Sequence, residues 1–348
     1  MDIRLLILIS FMGRFLLLLL FSYFFYTSIS AQNIEEMKSL SKKYSKYDST
    51  YVYKYPHRIL INPSFFLRTN FFSFKDISGL GNTIIYKPNT PMKLALVGAY
   101  KWLRLGIAVK LPAYLNDKGN TQTFALYLNT QTRILNWGVD FYWVRNKGYY
   151  LSNPDINIPG WRKGDEYPFN SNIQTTNIGF ATHMVFSKKF SLKAAIHQTD
   201  RQLKSAGGMA LQMGLSFSSM KSLDGSSLIP ESQKEYYPLV SDLTKGSFVS
   251  LNIRPGYAYT YVHNGFFATV IAHFGVGIQV QTYKLKTKND WGMQLSPAFK
   301  FNQILGYNKD NTFVKVSFTY ESLSFHMKQT LFRNNFMLLS IGGGLRFK

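Results

Sequence analysis

The residues best suited to moving protons in this chain are six histidines, His57, His183, His197, His263, His273 and His326. They are dispersed, and none sits in a His-Glu-x-x-His helix signature or beside a Gly-x-Ser-x-Gly elbow, so neither zinc hydrolysis nor an elbow nucleophile has a motif to rest on. His273 falls on the polar side of an alternating segment. There it could work with a serine and an acid from neighbouring strands, the constellation a barrel-borne lipid hydrolase needs. The chain has no cysteine. That excludes disulfides, thiolate metal ligation, a cysteine nucleophile and a lipid-modified N-terminal cysteine. No metal and no cofactor is expected.

Charge is the second chemical resource. Forty Lys+Arg against 18 Asp+Glu give a formal net charge of +22. A surplus of that size draws polyanions, nucleic acid being the usual first candidate. The N-terminus described below removes nucleic acid and leaves anionic lipid headgroups or lipopolysaccharide phosphates. Within the alternating segments, Arg104, Lys110, Arg133, Lys193, Arg254, Lys300, Lys315 and Arg346 fall on the polar face, with Asp140 and Glu321 as acidic members. Fixed cations along a polar passage lower the barrier for anions. The alternative is that such charges pair across the wall and keep the interior full and rigid. Between two alternating segments, Asp200, Arg201, Gln202 and Lys204 stand beside Gly207 and Gly208, the composition of a phosphate-binding rim loop or of an ordinary turn.

The elements that would carry these residues have a period of two. From Val249 to Tyr261, Val249, Leu251, Ile253, Tyr257, Tyr259 and Tyr261 alternate with Ser250, Asn252, Arg254, Gly256, Ala258 and Thr260. One face is apolar and ends in tyrosines, as at a membrane interface; the other is small or polar. Asn264-Gly265, a favoured hairpin pair, follows. The pattern then restarts, with Ala268, Val270, Ala272, Phe274, Val276, Ile278 and Val280 on one face and Ile271 as the exception. Leu103 to Leu111, Thr123 to Asn129, Trp137 to Trp143, Gly208 to Ser218, Gly292 to Phe301 and Met337 to Phe347 repeat it. Strands of this length cross a membrane, and a polar face rich in Gly, Ala, Ser, Thr and Gln suits a lumen.

The N-terminus sets the compartment. Leu5 to Ile29 is almost continuously apolar, broken mainly by Gly13 and Arg14. Read from Met12, Arg14 is the positive start, Phe15 to Phe25 the apolar stretch, and Ser28, Ser30 and Ala31 the small residues before a cut. Translation starts at Met1 or Met12. An uncleaved anchor helix is the competing reading. The expected organisation is a signal peptide over 1–31, a polar periplasmic arm over 32–52 and a barrel over 53–348.

Thirteen strand candidates cover approximately 57–70, 92–101, 102–111, 121–133, 135–146, 172–187, 190–199, 207–219, 246–261, 266–283, 290–303, 310–326 and 334–347. A single-chain bacterial barrel has an even number of strands. The expectation is therefore twelve, or fourteen if Asn82 to Lys87 adds one. The long connections 147–171 and 220–245 both invite assignment to the extracellular side, but they cannot share it if each of the three intervening candidates is a full crossing, so the topology stays open between twelve and fourteen.

Several strings carry a family resemblance: Tyr86-Lys87-Pro88-Asn89, Tyr100-Lys101-Trp102-Leu103, Lys110-Leu111-Pro112, Asp200 to Gly208, Ser227-Leu228-Ile229-Pro230 and Arg254-Pro255-Gly256-Tyr257-Ala258-Tyr259. Over roughly residues 45 to 348 the chain resembles a Bacteroidetes family of exported proteins classified as a domain of unknown function (4421). The resemblance implies a transmembrane antiparallel β-barrel in the outer membrane and supplies no ligand or activity. The expected neighbours are outer-membrane lipids, lipopolysaccharide and the barrel-insertion machinery, with no nucleic acid. Three functions stay open: a channel or transporter for small or anionic solutes, a structural or lipid-binding barrel with a filled lumen, and a lipid hydrolase.

Overall fold

The computed structural model describes residues 47–347 except 56–57, 91, 101–102, 112–117, 132–136 and 287; the side chains of Leu103, Lys110 and Gln131 are also outside the description. The expected signal peptide over 1–31 and residues 32–46 of the expected arm lie outside the described residues, as do His57 and Arg133.

The chain is all-β. In order, the strands are β1 (Val52–Lys54), β2 (Ile59–Asp76), β3 (Ile84–Lys87), β4 (Lys93–Tyr100), β5 (Leu103–Lys110), β6 (Gln122–Gln131), β7 (Gly138–Leu151), β8 (Phe169–Phe186), β9 (Asp200–Gln202), β10 (Ala206–Ser222), β11 (Leu243–His263), β12 (Phe266–Leu285), β13 (Asn289–Asn308), β14 (Thr312–Met327) and β15 (Thr330–Phe347). Antiparallel pairing runs from β15 through β14, β13, β12, β11, β10, β8, β7 and β3 to β2, and β2 pairs back onto β15. This closes a ring of ten strands, with β4, β5 and β6 attached to β2 and β7. Closure leaves no free edge between β2 and β15, which a membrane wall requires. The strand at 82–87 is real but short, a bridge between the ends of β2 and β7.

The faces are inverted relative to a water-soluble barrel. Along β11, Val249, Leu251, Ile253, Tyr257, Tyr259 and Tyr261 are exposed, whereas Phe248, Ser250, Asn252, Arg254, Ala258 and Thr260 are buried. Leu105, Ile107, Phe124, Leu128, Met209, Leu215, Val276, Ile278, Leu295, Leu339 and Ile341 continue the apolar exterior around the ring. A belt of that extent has no place in water and matches the hydrocarbon band of a membrane barrel. Among the described residues no helix is long and apolar enough to cross a membrane.

One expected strand is absent. Residues 190–199 fold into a π-helical turn, Lys193–His197, capped by Gln198 in the left-handed region at φ 60°. Only β8 and β10 therefore separate the two long connections, and 152–168 and 223–242 open at the same rim, not at opposite ones. This loop rim contrasts with a turn rim, where β2 begins and β15 ends. At the turn rim, β11 and β12 are joined through Asn264 (φ 49°) and Gly265 (φ 86°), the two left-handed residues of a type I′ hairpin.

Candidate functional site

Three layers fill the barrel, and inward apolar residues mark the outer two. At the loop rim, Phe72, Phe74, Tyr149, Phe248, Phe325 and Phe332 point inward from the wall and pack with Leu228, Ile229, Tyr237, Val240 and Leu243. Phe248 stacks on Phe325 at 4.8 Å and on Phe332 at 4.9 Å, nearly parallel in both cases. Hydrogen bonds knit the loops into a lid. The Tyr237 hydroxyl donates to the carbonyl of Asn82 (2.6 Å) and accepts from the Asp76 amide (3.1 Å), and Asn153 Nδ2 donates to the Thr83 carbonyl (2.7 Å).

At the turn rim the closure comes from 187–205. Phe190, Leu192, Ala195 and Ile196 lie against Val185, Ala210, Ala258 and Ile271, so the one break in the β12 alternation is the wall's contact for this plug. Ser191 caps the turn, accepting from the Ala194 amide at 3.1 Å. Its other end is held by cations. Arg346 donates through Nε (2.9 Å) and Nη2 (2.7 Å) to the Gln198 carbonyl, Lys315 Nζ donates to the Ile196 carbonyl, and Arg104 meets the His197 ring. Cations at the carbonyl end of a helical turn satisfy its orphan acceptors. Three of the expected lumen cations thus hold a plug.

The expected lumen residue Lys193 is buried, but it sits on the plug and not on the wall. The expected rim residues Asp200, Arg201, Gln202 and Lys204 lie in and beside a short strand at the turn rim. Asp200–Gln202 is β9, paired with β1, and Gln202 Nε2 donates to the carbonyls of Lys189 (2.6 Å) and Lys204 (3.0 Å). Arg201 forms an ion pair with Asp310 at 2.6 Å. Val52, the last residue of the expected arm, therefore begins the strand that pairs with the plug's own β9. Arg133 and the side chain of Lys110 lie outside the described residues.

Between the two closures lies a chamber of about 250 Å³. The strand register builds its equator. Gly138 opposes His183, His183 opposes Gln212, and Gln212 opposes Arg254; on the other side His273 opposes Lys300, which opposes Glu321. The β11–β12 ladder skips Arg254 and Pro255, and Pro255 has no amide hydrogen to give. Glycines make room for the larger groups: a Cβ on Gly138 would stand 2.2 Å from the His183 ring, and one on Gly179 would stand 2.3 Å from the Tyr142 ring.

Arg254 is 2% exposed and reaches Glu321 through Nη2 at 2.7 Å, while Lys300 approaches the other carboxylate oxygen at 3.7 Å. His183 faces Asp140 at 3.5 Å, and Arg68 lies 3.6 Å from the Tyr127 ring centre. Nε and Nη1 of Arg254, both ring nitrogens of His273, Oε1 of Gln212 and Oδ1 of Asn252 are buried with no hydrogen-bond partner in the protein. Neither ring nitrogen of His273 makes a hydrogen bond to a serine or an acid among the described residues. Gln212, Asn252 and Arg68 were not distinguished by sequence. Their signal was the alternation itself, which places each beside an expected residue once the register is known.

Solved structures with low scores include Ail, the attachment invasion locus protein of Yersinia pestis (8% identity, 84% of this chain and 100% of that chain, TM-score 0.23), the translocator domain of autotransporter NalP from Neisseria meningitidis (8%, 91% and 95%, 0.34) and the P. putida toluene transporter TodX (9%, 84% and 90%, 0.23). Scores this low bear on no functional question. No curated protein matches the sequence. The family model of a domain of unknown function matches residues 46–347, nearly the whole length described above, and the chain belongs to that family, DUF4421.

Proposed function

We propose that the protein is a gated outer-membrane barrel that admits small solutes to its central chamber and passes them when the 187–205 plug moves. The observation that carries this reading is the layering: a chamber with charged and amide side chains set among apolar ones lies between two closures of different build, and one closure is not part of the wall. A purely structural barrel gains nothing from keeping Arg254 Nε and Nη1, both His273 ring nitrogens and Gln212 Oε1 buried without protein partners, because each unpaired polar group costs about 1–3 kcal/mol.

In this reading β4, β5 and β6 complete a wall of twelve crossings with β2, β7, β8 and β10–β15, the even number that a single-chain barrel favours. The turn rim is periplasmic, in keeping with its short hairpins, and the long loops meet lipopolysaccharide outside. The N-terminal segment is a cleaved export signal, and the barrel-insertion machinery places the folded wall.

The test is conductance in planar bilayers. The intact protein is expected to show low or flickering conductance, and replacing 189–198 by a Gly/Ser linker is expected to give a stable open state. A linker variant that folds and stays silent would favour the filled, structural barrel instead.

A further inference from the structure

We infer that the chamber is a binding site for a monosaccharide-sized acid, a solute carrying one carboxylate and several hydroxyls. The inference rests on the reading of the chamber as a solute compartment and adds the chemistry of what it holds.

Charge comes first. Arg68, Arg254 and Lys300 line the chamber against two carboxylates, Asp140 and Glu321. Glu321 serves both Arg254 and Lys300, and Asp140 faces His183. The lining therefore carries one cation more than it has carboxylates to match. A charge held in low-dielectric surroundings is costly without a counter-charge, and one carboxylate supplies it.

Hydrogen bonding narrows the class. Arg254 Nε and Nη1 are donors without a protein partner, while Gln212 Oε1 and Asn252 Oδ1 are acceptors without one. Gln212, Asn252 and His273 line the chamber, and these atoms are buried in its wall. A bare inorganic anion satisfies the cation and leaves the amides unmet. A neutral sugar does the reverse. A hydroxylated acid meets both, and because hydroxyls donate as well as accept, they serve whichever way each amide is turned. They also serve either tautomer of His273.

Size and shape agree. A chamber of about 250 Å³ holds the volume of roughly eight liquid waters and falls just below the range of about 300–1,000 Å³ for drug-sized ligands. Tyr142 lies against Gly179 and lines this space, an aromatic side chain on which the C–H side of a sugar can pack.

The experiment uses the full chain in detergent and titrates it calorimetrically with D-glucuronate, D-glucose and acetate as probes. Saturable binding of glucuronate, at least tenfold tighter than glucose or acetate, is the expected result. Arg254→Met should weaken it tenfold or more. His273→Trp, which fills the chamber while leaving Arg254 and Glu321 in the sequence, should abolish it and carries the test if Arg254→Met does not fold, as judged by mobility of the unheated protein on a gel. Absence of saturable glucuronate binding by folded protein, equal binding of either fragment, or unchanged binding in His273→Trp would each overturn the inference. Bilayer conductance separates the two readings: binding without passage sinks the gated-barrel function alone, and passage without binding sinks this inference alone.

Discussion

The two closures of the barrel solve one problem with different materials. At the loop rim the wall's own side chains turn apolar, and Phe72, Phe74, Phe248, Phe325 and Phe332 meet a lid built from two long loops. At the turn rim a separate segment enters the wall. That segment rests on a smaller apolar patch around Phe190 and Leu192 and is tied by Arg104, Lys315 and Arg346 to carbonyls and a ring at its end. Apolar stacking among wall residues cannot be released without loosening the wall, since each ring belongs to a strand. Hydrogen bonds from wall cations to a separate turn can be exchanged for water at modest net cost. In the proposed gating the loop-rim seal is thus the stability element and the turn-rim plug the part that moves.

The largest effect that tests this contrast comes from trimming one ring on each side. Phe332 and Phe190 are both buried. Phe332→Ala should lower unfolding stability in urea by about 3–5 kcal/mol, the usual loss for a buried phenylalanine, and leave conductance low. Phe190→Ala should cost the wall far less and raise conductance, because its loss frees the plug. If Phe190→Ala destabilised the barrel as much as Phe332→Ala and opened no current, the two closures would be equivalent and the contrast would fail.

A smaller effect is expected at the plug's tether. Arg346 makes two hydrogen bonds to the Gln198 carbonyl and another to the Lys309 carbonyl at 2.8 Å, and its guanidinium lies 4.6 Å from the Tyr55 ring centre. Arg346→Met keeps the length and removes the donors. A loss of about 1.5–3 kcal/mol is expected, the range for hydrogen bonds to a charged group, together with more frequent channel opening. Proteolysis within 187–205 should speed up in parallel. Unaltered opening and cleavage would mean that apolar packing alone holds the plug.

The contrast between the rims also explains what sequence could and could not say. The exterior was legible because Leu251, Ile253, Val276 and Ile278 repeat at period two with nothing to disturb them. The plug was misread because Phe190, Leu192, Ala194 and Ile196 also alternate, and a short apolar run does not distinguish a strand from a helical turn. Counted as a full crossing, that segment prevents the two long loops from sharing a side, whereas the turn leaves them at one rim. The more telling signal lay in the exceptions: Ile271, Phe248, Phe325 and Phe332 are apolar on the lumen side, and each marks a closure. At the candidate site, Arg254, Lys300, Glu321 and His273 were recognised as lumen residues. Their grouping depends on the register of four strands, which composition and spacing do not determine. Arg104, Lys315 and Arg346 looked like the same kind of residue, and only their positions near the turn rim separate plug-holding from chamber-lining.

The smallest predicted effect concerns pH, and it too should differ between the rims. In the loop-rim lid, Asp224 accepts hydrogen bonds from Ser222 Oγ (2.6 Å), Asn172 Nδ2 (2.8 Å) and the Ser226 amide (3.0 Å). These donors, Ser222 foremost, hold its carboxyl well below the ordinary value of 3.8. A depressed folded-state value means the ionised group favours the folded lid above the ordinary value, and that contribution is lost as pH falls from about 4 toward the depressed value. At the turn rim Asp48 is also lowered, by hydrogen bonds from the Thr50 hydroxyl (2.7 Å) and amide (2.9 Å), but those ties stay within one turn. Asp224 instead joins residues of β8 and β10 to the 223–242 loop, so its protonation loosens the lid. Pepsin cleavage within 223–242, taken relative to Asp224→Asn at each pH, should therefore rise as pH falls from about 4 to 2, since the variant has no carboxylate to titrate there. A constant ratio across that window would show that the lid does not depend on this carboxylate; a matching rise near residue 48, relative to Asp48→Asn, would show that acid loosens both rims alike.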